Sequence, residues 1–263
     1  MMNLNGKIAV VTGGAMGNGL GIVKVFLKYG AKIIILDYSD ELEKTVSDLK
    51  SNGYDVLGYK VDISNNDEVV SAIKDIESKY DHVDVLVNNA GICILGSFDE
   101  MSYELRDKHF DINIKGTWNV THALLPLLKK AAKASIVNLS SVTGVSVADA
   151  GEVAYATTKA AVLGFTKALA MELVKDDIRV NAILPGYVMT PMVDKMAKQS
   201  NPSNPQSVID GIANAIPMKR LGTPEELGEL AAFLASDKSS YITGQGIVID
   251  GASTLPETLT MGV

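Results

Sequence analysis

A chain of 263 residues, 47% apolar and 21% charged, has enough buried-type side chains for one large α/β core and too many to remain disordered. Its formal net charge of −7, with no basic run to offset it, argues against nucleic acid or an anionic membrane surface as a partner. A single cysteine excludes an internal disulfide, no apolar run is long enough to span a bilayer, and Lys7 follows Met1 too closely for a signal peptide, so a cytoplasmic location is expected.

Short runs rich in valine and isoleucine recur with amphipathic segments between them: Lys7–Val11, Lys32–Leu36, Val56–Val61, Val83–Val87, Ser135–Leu139, Arg179–Leu184 and Gln245–Ile249. Strands buried on both faces read this way. The pattern predicts a parallel sheet of about seven strands with helices on both faces, in one domain over residues 1–263.

After the first strand, Thr12-Gly13-Gly14-Ala15-Met16-Gly17-Asn18-Gly19 opens a helix through Gly21–Tyr29. Without side chains at Gly13, Gly17 and Gly19, the backbone can turn tightly and approach a pyrophosphate whose charge meets the helix N-terminus. Asp37 ends the second strand, eighteen residues past Gly19, where its carboxylate can accept from both hydroxyls of an adenosine ribose. A phosphate on that ribose would meet like charge, and the glycine turn holds no Arg or Lys to neutralise it, so NAD is expected over NADP. A solvated loop residue or a helix cap is the plainer reading of Asp37.

Farther along, Val69, Ile73, Ile76 and Tyr80 mark one face of a helix capped by Ser64, with Asp67 three residues on. Cys93 reads as a small apolar residue. His82, His109 and His122 share no metal-ligand spacing with one another or with Cys93, so no metal site is expected. Trp118 and Leu124-Leu125-Pro126-Leu127-Leu128 form a packed or subunit-facing surface.

Tyr155 and Lys159 stand four residues apart in a helix-forming stretch, which places them on one face. A positive charge ~4 Å away at an effective dielectric of ~20 is worth roughly 4 kcal/mol. That is enough to bring a phenol of ordinary pKa ~10 toward neutrality, where it can act as a general acid or base. Beyond them, the segment from Pro191 to Pro217 holds two short helical patterns around Asn201-Pro202-Ser203-Asn204-Pro205, a substrate cap following a strand's carboxyl end. Thr223-Pro224-Glu225-Glu226 starts another helix with a cap, a proline at its first position and a glutamate at its third. The tail from Ser253 to Val263 is apolar enough to pack on a neighbouring subunit.

These motifs, in this order, make the chain similar to the short-chain dehydrogenase/reductase family along essentially its whole length. The turn has the family's TGxxxGxG form, Asp62 follows the third strand, and Asn88-Asn89-Ala90-Gly91 is its NNAG. Asn113 lies in Ile112-Asn113-Ile114-Lys115-Gly116, Ser140-Ser141-Val142-Thr143-Gly144 carries the serine, Tyr155 to Lys159 is its YxxxK, and Pro185-Gly186-Tyr187-Val188-Met189-Thr190 its PG motif.

The resemblance implies a doubly wound (Rossmann) seven-stranded parallel sheet and hydride transfer between NAD(H) and a secondary alcohol or ketone, with a tetrad of Asn113, Ser141, Tyr155 and Lys159. Ser141 is assigned over Ser140 by alignment on the Val-x-Gly that follows, although its spacing to Tyr155 is one residue longer than in many relatives. Tyr155 would move the substrate proton, Ser141 would donate to the reacting oxygen, Lys159 would lower the phenol's pKa and reach the nicotinamide ribose, and Asn113 would hold a water linking Lys159 to solvent. Asp62 and Ile63 would meet the adenine, Asn88 and Gly91 the ribose, and Val188 and Thr190 the carboxamide, with Met16, Asn18, Ala90, Pro185 and Gly186 completing the cofactor's lining. Thr190 has a competing role as a helix cap, and Asn18 stands where relatives often carry isoleucine or arginine.

Substrate-lining candidates are Cys93, Val145, Ala148, Gly186, Tyr187 and Met192, a mostly apolar set that disfavours a phosphorylated sugar. Polyols, hydroxysteroids and other hydrophobic ketones stay open. A homotetramer is the family's common assembly. An NADP-linked 3-oxoacyl-thioester reductase and a non-catalytic NAD(H)-binding sensor are the alternatives.

Overall fold

The seven apolar runs become seven strands in the computed structural model, which describes residues 2–256. They are β1 (Ile8–Thr12), β2 (Lys32–Asp37), β3 (Val56–Lys60), β4 (Val85–Asn88), β5 (Ala134–Leu139), β6 (Ile178–Pro185) and β7 (Gly246–Ile249), each end within two residues of expectation. All neighbours pair in parallel, in the order β3-β2-β1-β4-β5-β6-β7. Order reverses at β1, so the carboxyl ends of β1 and β4 flank a topological switch point, where such sheets bind ligands.

Successive side chains of a strand point to opposite faces, and both faces here are apolar. Ala9, Val11, Ile33 and Ile35 join one core with Ile22, Phe26, Leu227 and Ala231, under helices α1 (Gly17–Lys28), α2 (Leu42–Ser51) and, at the chain's far end, the helix Pro224–Ala235. Ile8, Val10, Ile34 and Leu36 join the other, beneath α3 (Asn66–Lys79) and the helices Thr117–Lys130 and Val153–Leu173. In chain order the remaining elements are α4 (Tyr103–Phe110), a single π-helical turn at Asp111–Gly116, α5 (Thr117–Lys130), α6 (Val153–Leu173), α7 (Pro191–Ser200), α8 (Pro205–Ala215) and α9 (Pro224–Ala235).

Local chemistry sets the helix starts. At α9 the Thr223 hydroxyl accepts from Glu226 N at 3.1 Å while the Glu226 carboxylate accepts from Thr223 N at 2.8 Å, the reciprocal box that the sequence indicates. At α3 the cap is Asn65, not Ser64: Asn65 Oδ1 accepts from Asp67 N and Glu68 N, whereas the Ser64 hydroxyl donates to Asp62 Oδ1. Helix α1 starts earlier than expected, at Gly17. It lies so close to α9 that a Cβ on Gly21 would stand 2.4 Å from Pro224.

The segment expected to be a cap forms two helices, α7 and α8, sharing a small core of Val193, Ile216 and Leu221 with Met196, Ile209, Ile212 and Ala213. Of the expected tail contact, residues 257–263 lie outside the described region.

Candidate active site

The glycine turn is built for close approach. Gly13 and Gly17 take φ values of +65° and +54°, in the left-handed region where side chains are strained. A Cβ on Gly19 would fall 1.9 Å from the Gly13 carbonyl oxygen, so only glycine fits. Asn89 fastens this turn: its Nδ2 donates to Thr12 O and Gly13 O, both at 3.0 Å, while the Thr12 hydroxyl accepts from Asn89 N and Ala90 N at 3.0 Å.

The N-terminus of α1 suits a pyrophosphate. Met16 at the N-cap offers no side-chain bond and the first turn has no acidic residue, so its amides face the crevice with the positive end of the helix dipole behind them. Asn18 Oδ1 is buried beside them without a partner. Asp37 is held at the crevice edge, Oδ2 accepting from Ala15 N at 2.8 Å and Oδ1 from Ser39 N at 2.9 Å, and each oxygen keeps a lone pair for a further donor.

Other cofactor candidates are placed less uniformly. Asp62 sits half-buried at the end of β3, its Oδ1 taken by the amide and hydroxyl of Ser64. The Ile63 side chain is buried against Gly116. Asn88 is turned away from the crevice: buried, it donates to Thr121 Oγ1 at 2.9 Å and Asn138 Oδ1 at 2.8 Å, and its own Oδ1 has no partner. The neighbouring Asn89, one step along the alternation, is the side chain that reaches the turn.

Gly91 meets the tetrad. A Cβ there would lie 3.1 Å from Asn113 Oδ1 and 3.5 Å from Lys159 Nζ. Pro185 O accepts from Val142 N at 3.1 Å, Gly186 N donates to Ile249 O, and Val188 is buried. Thr190 does cap α7, accepting from Val193 N at 3.4 Å, and with Pro191 it stands against Gly17.

The two candidate serines separate cleanly. Ser140 Oγ donates to Lys159 O at 2.7 Å and is used up tying β5 to α6. Ser141 Oγ accepts from Thr143 N at 3.1 Å and donates to Pro185 O at 3.5 Å, near enough to the Tyr155 phenol to lower its pKa, one strand end and one helix converging. Lys159 follows one turn after Tyr155, its Nζ 5.6 Å from the ring centroid and donating to Leu139 O at 2.8 Å.

Asn113 lies in the π-helical turn. Its Nδ2 donates to Ile92 O and Thr158 Oγ1 and its Oδ1 accepts from Ile92 N at 2.8 Å, so the side chain clamps the segment after β4 onto α6. Thr158 in turn donates to Tyr155 O at 2.8 Å. Next to this, buried His109 accepts from Ile94 N through Nε2 and donates to Leu105 O through Nδ1, the arrangement of a neutral imidazole holding two backbone segments.

Burial decides the protonation states here, against the expectation from spacing alone. The Tyr155 phenol is pushed well above its usual range by desolvation, with the nearby Ser141 hydroxyl pulling it down and the charges of Cys93 and Glu152 pushing it up. The Lys159 ammonium does not acidify it as the four-residue spacing implied. Nζ is turned to the Leu139 carbonyl and is itself buried, which lowers its pKa to about 8. Cys93 is raised to about 11, mainly by burial, which leaves an inert thiol in keeping with a small apolar role.

Of the substrate-lining candidates, Val145, Ala148, Tyr187 and Met192 are exposed and Cys93 and Gly186 half-buried. The sequence reading passed over Thr12, Asn89, Thr158 and Glu152. Glu152 is the N-cap residue of α6, three positions before Tyr155. Among the described residues no group of three or more His, Cys, Asp or Glu side chains is placed to hold a metal, and no helix is long and apolar enough to cross a membrane.

A doubly wound sheet whose glycine turn and Ser-Tyr-Lys cluster meet at the switch point defines an oxidoreductase that works with a nicotinamide dinucleotide. The chain belongs to the short-chain dehydrogenase/reductase family. A family model described as Enoyl-(Acyl carrier protein) reductase matches residues 13–254. Oxidoreductase UcpA of Escherichia coli (strain K12) is 53% identical over 263 residues, covering 100% of both chains. The 3-oxoacyl-[acyl-carrier-protein] reductase FabG of Thermotoga maritima is 39% identical over 251 residues, 95% of this chain and 98% of that one. Among solved structures, L-sorbose reductase from Gluconobacter frateurii, complexed with NADPH and L-sorbose, superimposes with a TM-score of 0.92 at 31% identity, covering 97% of this chain and 99% of that one. Aldohexose dehydrogenase from Thermoplasma acidophilum does so with a TM-score of 0.90 at 32% identity, covering 99% and 98%.

Proposed function

We propose that the chain interconverts a secondary alcohol and a ketone with NAD(H). The observation that carries this reading is the convergence of the Ser141 hydroxyl on the Tyr155 phenol, with Lys159 one turn below, beside the glycine turn. When bound, the dinucleotide supplies or accepts hydride at its nicotinamide ring. The rest is the work of this chain's residues. In reduction Tyr155 gives its proton to the carbonyl oxygen, and in oxidation it takes the proton of the substrate hydroxyl. Ser141 donates to that oxygen as it gains alkoxide character, and Lys159 reaches the nicotinamide ribose. Asn113 keeps Ile92 and α6 in register around them and holds the water that links Lys159 to solvent.

The α1 N-terminus takes the pyrophosphate and Asp37 the adenosine ribose. Two further donors on Asp37 would be the ribose hydroxyls, whereas a phosphate there would face its carboxylate with no cation in the turn. The wild type is expected to prefer NADH to NADPH by more than about tenfold in kcat/KM, and Asp37→Ala to erase most of that ratio, since a charge-assisted hydrogen bond contributes ~1.5–3 kcal/mol. Preference of the wild type for NADPH would instead support the second reading, an NADP-linked 3-oxoacyl-thioester reductase, which the likeness to FabG favours.

The protein is further read as a cytoplasmic homotetramer. An apolar groove between α5 and α6, lined by Ile114, Trp118, Val162 and Phe165 with Trp118 58% exposed, supports assembly there. Light scattering of the purified protein is expected to give four times the 27.9 kDa chain mass, and a monomer would contradict it.

A further inference from the structure

Glu152 has no use in the proton relay, yet it stands inside the site. It occupies the N-cap position of α6 without making a capping bond. Its backbone is fixed, Ala156 N donating to Glu152 O at 2.7 Å, and the preceding Gly151 O accepts from Gly96 N at 3.0 Å, which joins this turn to the loop after β4. Thr143 is beside Glu152, its own amide donating to Ser141 Oγ. Tyr155 follows three residues later. After desolvation, the Glu152 charge is a further cause of the raised pKa of Cys93 after β4, Tyr155 on α6 and Tyr187 after β6, so it lies within reach of all three.

In that position Glu152 Oε2 is buried and has no hydrogen-bond partner. A carboxylate at the positive end of a helix has its charge partly balanced already. What it lacks is a donor. The substrate is the one molecule that must enter this space, and its reacting oxygen is claimed by Tyr155 and Ser141, so the donor for Oε2 comes from a neighbouring position on the substrate.

Resting on the oxidoreductase reading above, we infer that Glu152 selects a polyhydroxylated substrate by accepting a hydrogen bond from a hydroxyl adjacent to the reacting carbon. An acyl thioester offers no such donor, and a carboxylated or phosphorylated substrate would meet Glu152 and Asp149 as like charges. The apolar lining read from the sequence is thus interrupted by one acceptor, at the point where orientation matters most.

Propylene glycol and isopropanol test this, since they share the reacting centre and differ by one adjacent hydroxyl. The ratio of their kcat/KM values with NAD is measured in the wild type, Glu152→Ala and Glu152→Gln, and comparing ratios cancels the intrinsic reactivity of the two alcohols. Loss of a hydrogen bond to a charged acceptor is expected to lower the ratio about 10- to 100-fold in Glu152→Ala. Glu152→Gln, which keeps an acceptor oxygen but no charge, is expected to lose several-fold, and it carries the test if the alanine variant does not fold. A ratio unchanged to within about twofold in the variants overturns the inference. So does a wild type that prefers isopropanolamine to propylene glycol, which would make the missing donor an ammonium. Wild-type protein that binds NADH but turns over none of these alcohols, nor xylitol, nor acetone and hydroxyacetone in reverse, overturns this inference, and refusal of hydroxysteroids and other apolar alcohols as well overturns the oxidoreductase reading with it.

Discussion

Tyr155→Phe is expected to lower turnover in both directions by about 10²–10⁴-fold while NADH binding stays within about threefold of wild type. The substitution removes one oxygen and keeps the ring, so packing around α6 is preserved. What is lost is the proton and the hydroxyl that stands near Ser141. Burial holds the phenol protonated throughout the neutral range, which makes it a ready donor for ketone reduction but a base only when a positive charge arrives beside it. Hence oxidation is expected to accelerate as pH rises, whereas reduction has its proton donor in place from the acid side upward. Initial rates and a fluorescence titration with NADH separate the two effects. Wild-type turnover in Tyr155→Phe would remove the phenol from the mechanism.

Lys159→Met is expected to reduce turnover by ~10²–10³-fold, the usual cost of losing one preorganised donor, and to change how stability depends on pH. Burial lowers the ammonium's pKa from its ordinary 10.5 to about 8 in the folded cofactor-free protein. Between those values the unfolded chain holds a proton that the folded chain has released, so stability rises with pH across that window. The penalty is fully present below about pH 8 and relieved above it. A difference of this size corresponds to roughly 3 kcal/mol. Wild type should therefore gain about that much relative to Lys159→Met when urea unfolding is followed from about pH 7 to about pH 11. Parallel curves for the two proteins would show that the ammonium is not desolvated in the folded state. The same titration predicts that kcat/KM for reduction, governed by groups of the free enzyme, falls as pH rises through about 8.

The strands were legible because burial on both faces leaves unbroken runs of valine and isoleucine, and the ends of β1 and β2 then placed the glycine turn and Asp37 without further information. Strand order was not readable residue by residue and comes from the structure. At Ser64 and Asn65 two good capping residues stand side by side, and only geometry chooses between them. Asn88 and Asn89 pose a similar problem. Strand alternation sends one side chain to the core and the next to the crevice, so the pair had to divide the roles that were given to Asn88 alone.

Spacing brought Tyr155 and Lys159 to one helix face, and the structure keeps them there. It carries no account of solvent: exclusion of water raises a phenol and lowers an ammonium, and desolvation is the largest influence on both groups here. The same blindness hid Glu152, whose importance lies in a buried oxygen without a partner rather than in any motif. The π-helical turn around Asn113 leaves no mark on the sequence either.

Deuterium transfer tests the assembled site most directly. With NADH deuterated at the transferring position and hydroxyacetone as acceptor, wild-type protein is expected to place deuterium on the carbinol carbon of the product, read by NMR, and Tyr155→Phe to do so at about 10²–10⁴-fold lower rate while still binding NADH. Equal transfer by the two proteins, or consumption of NADH by the wild type with no deuterium on that carbon, would contradict this mechanism.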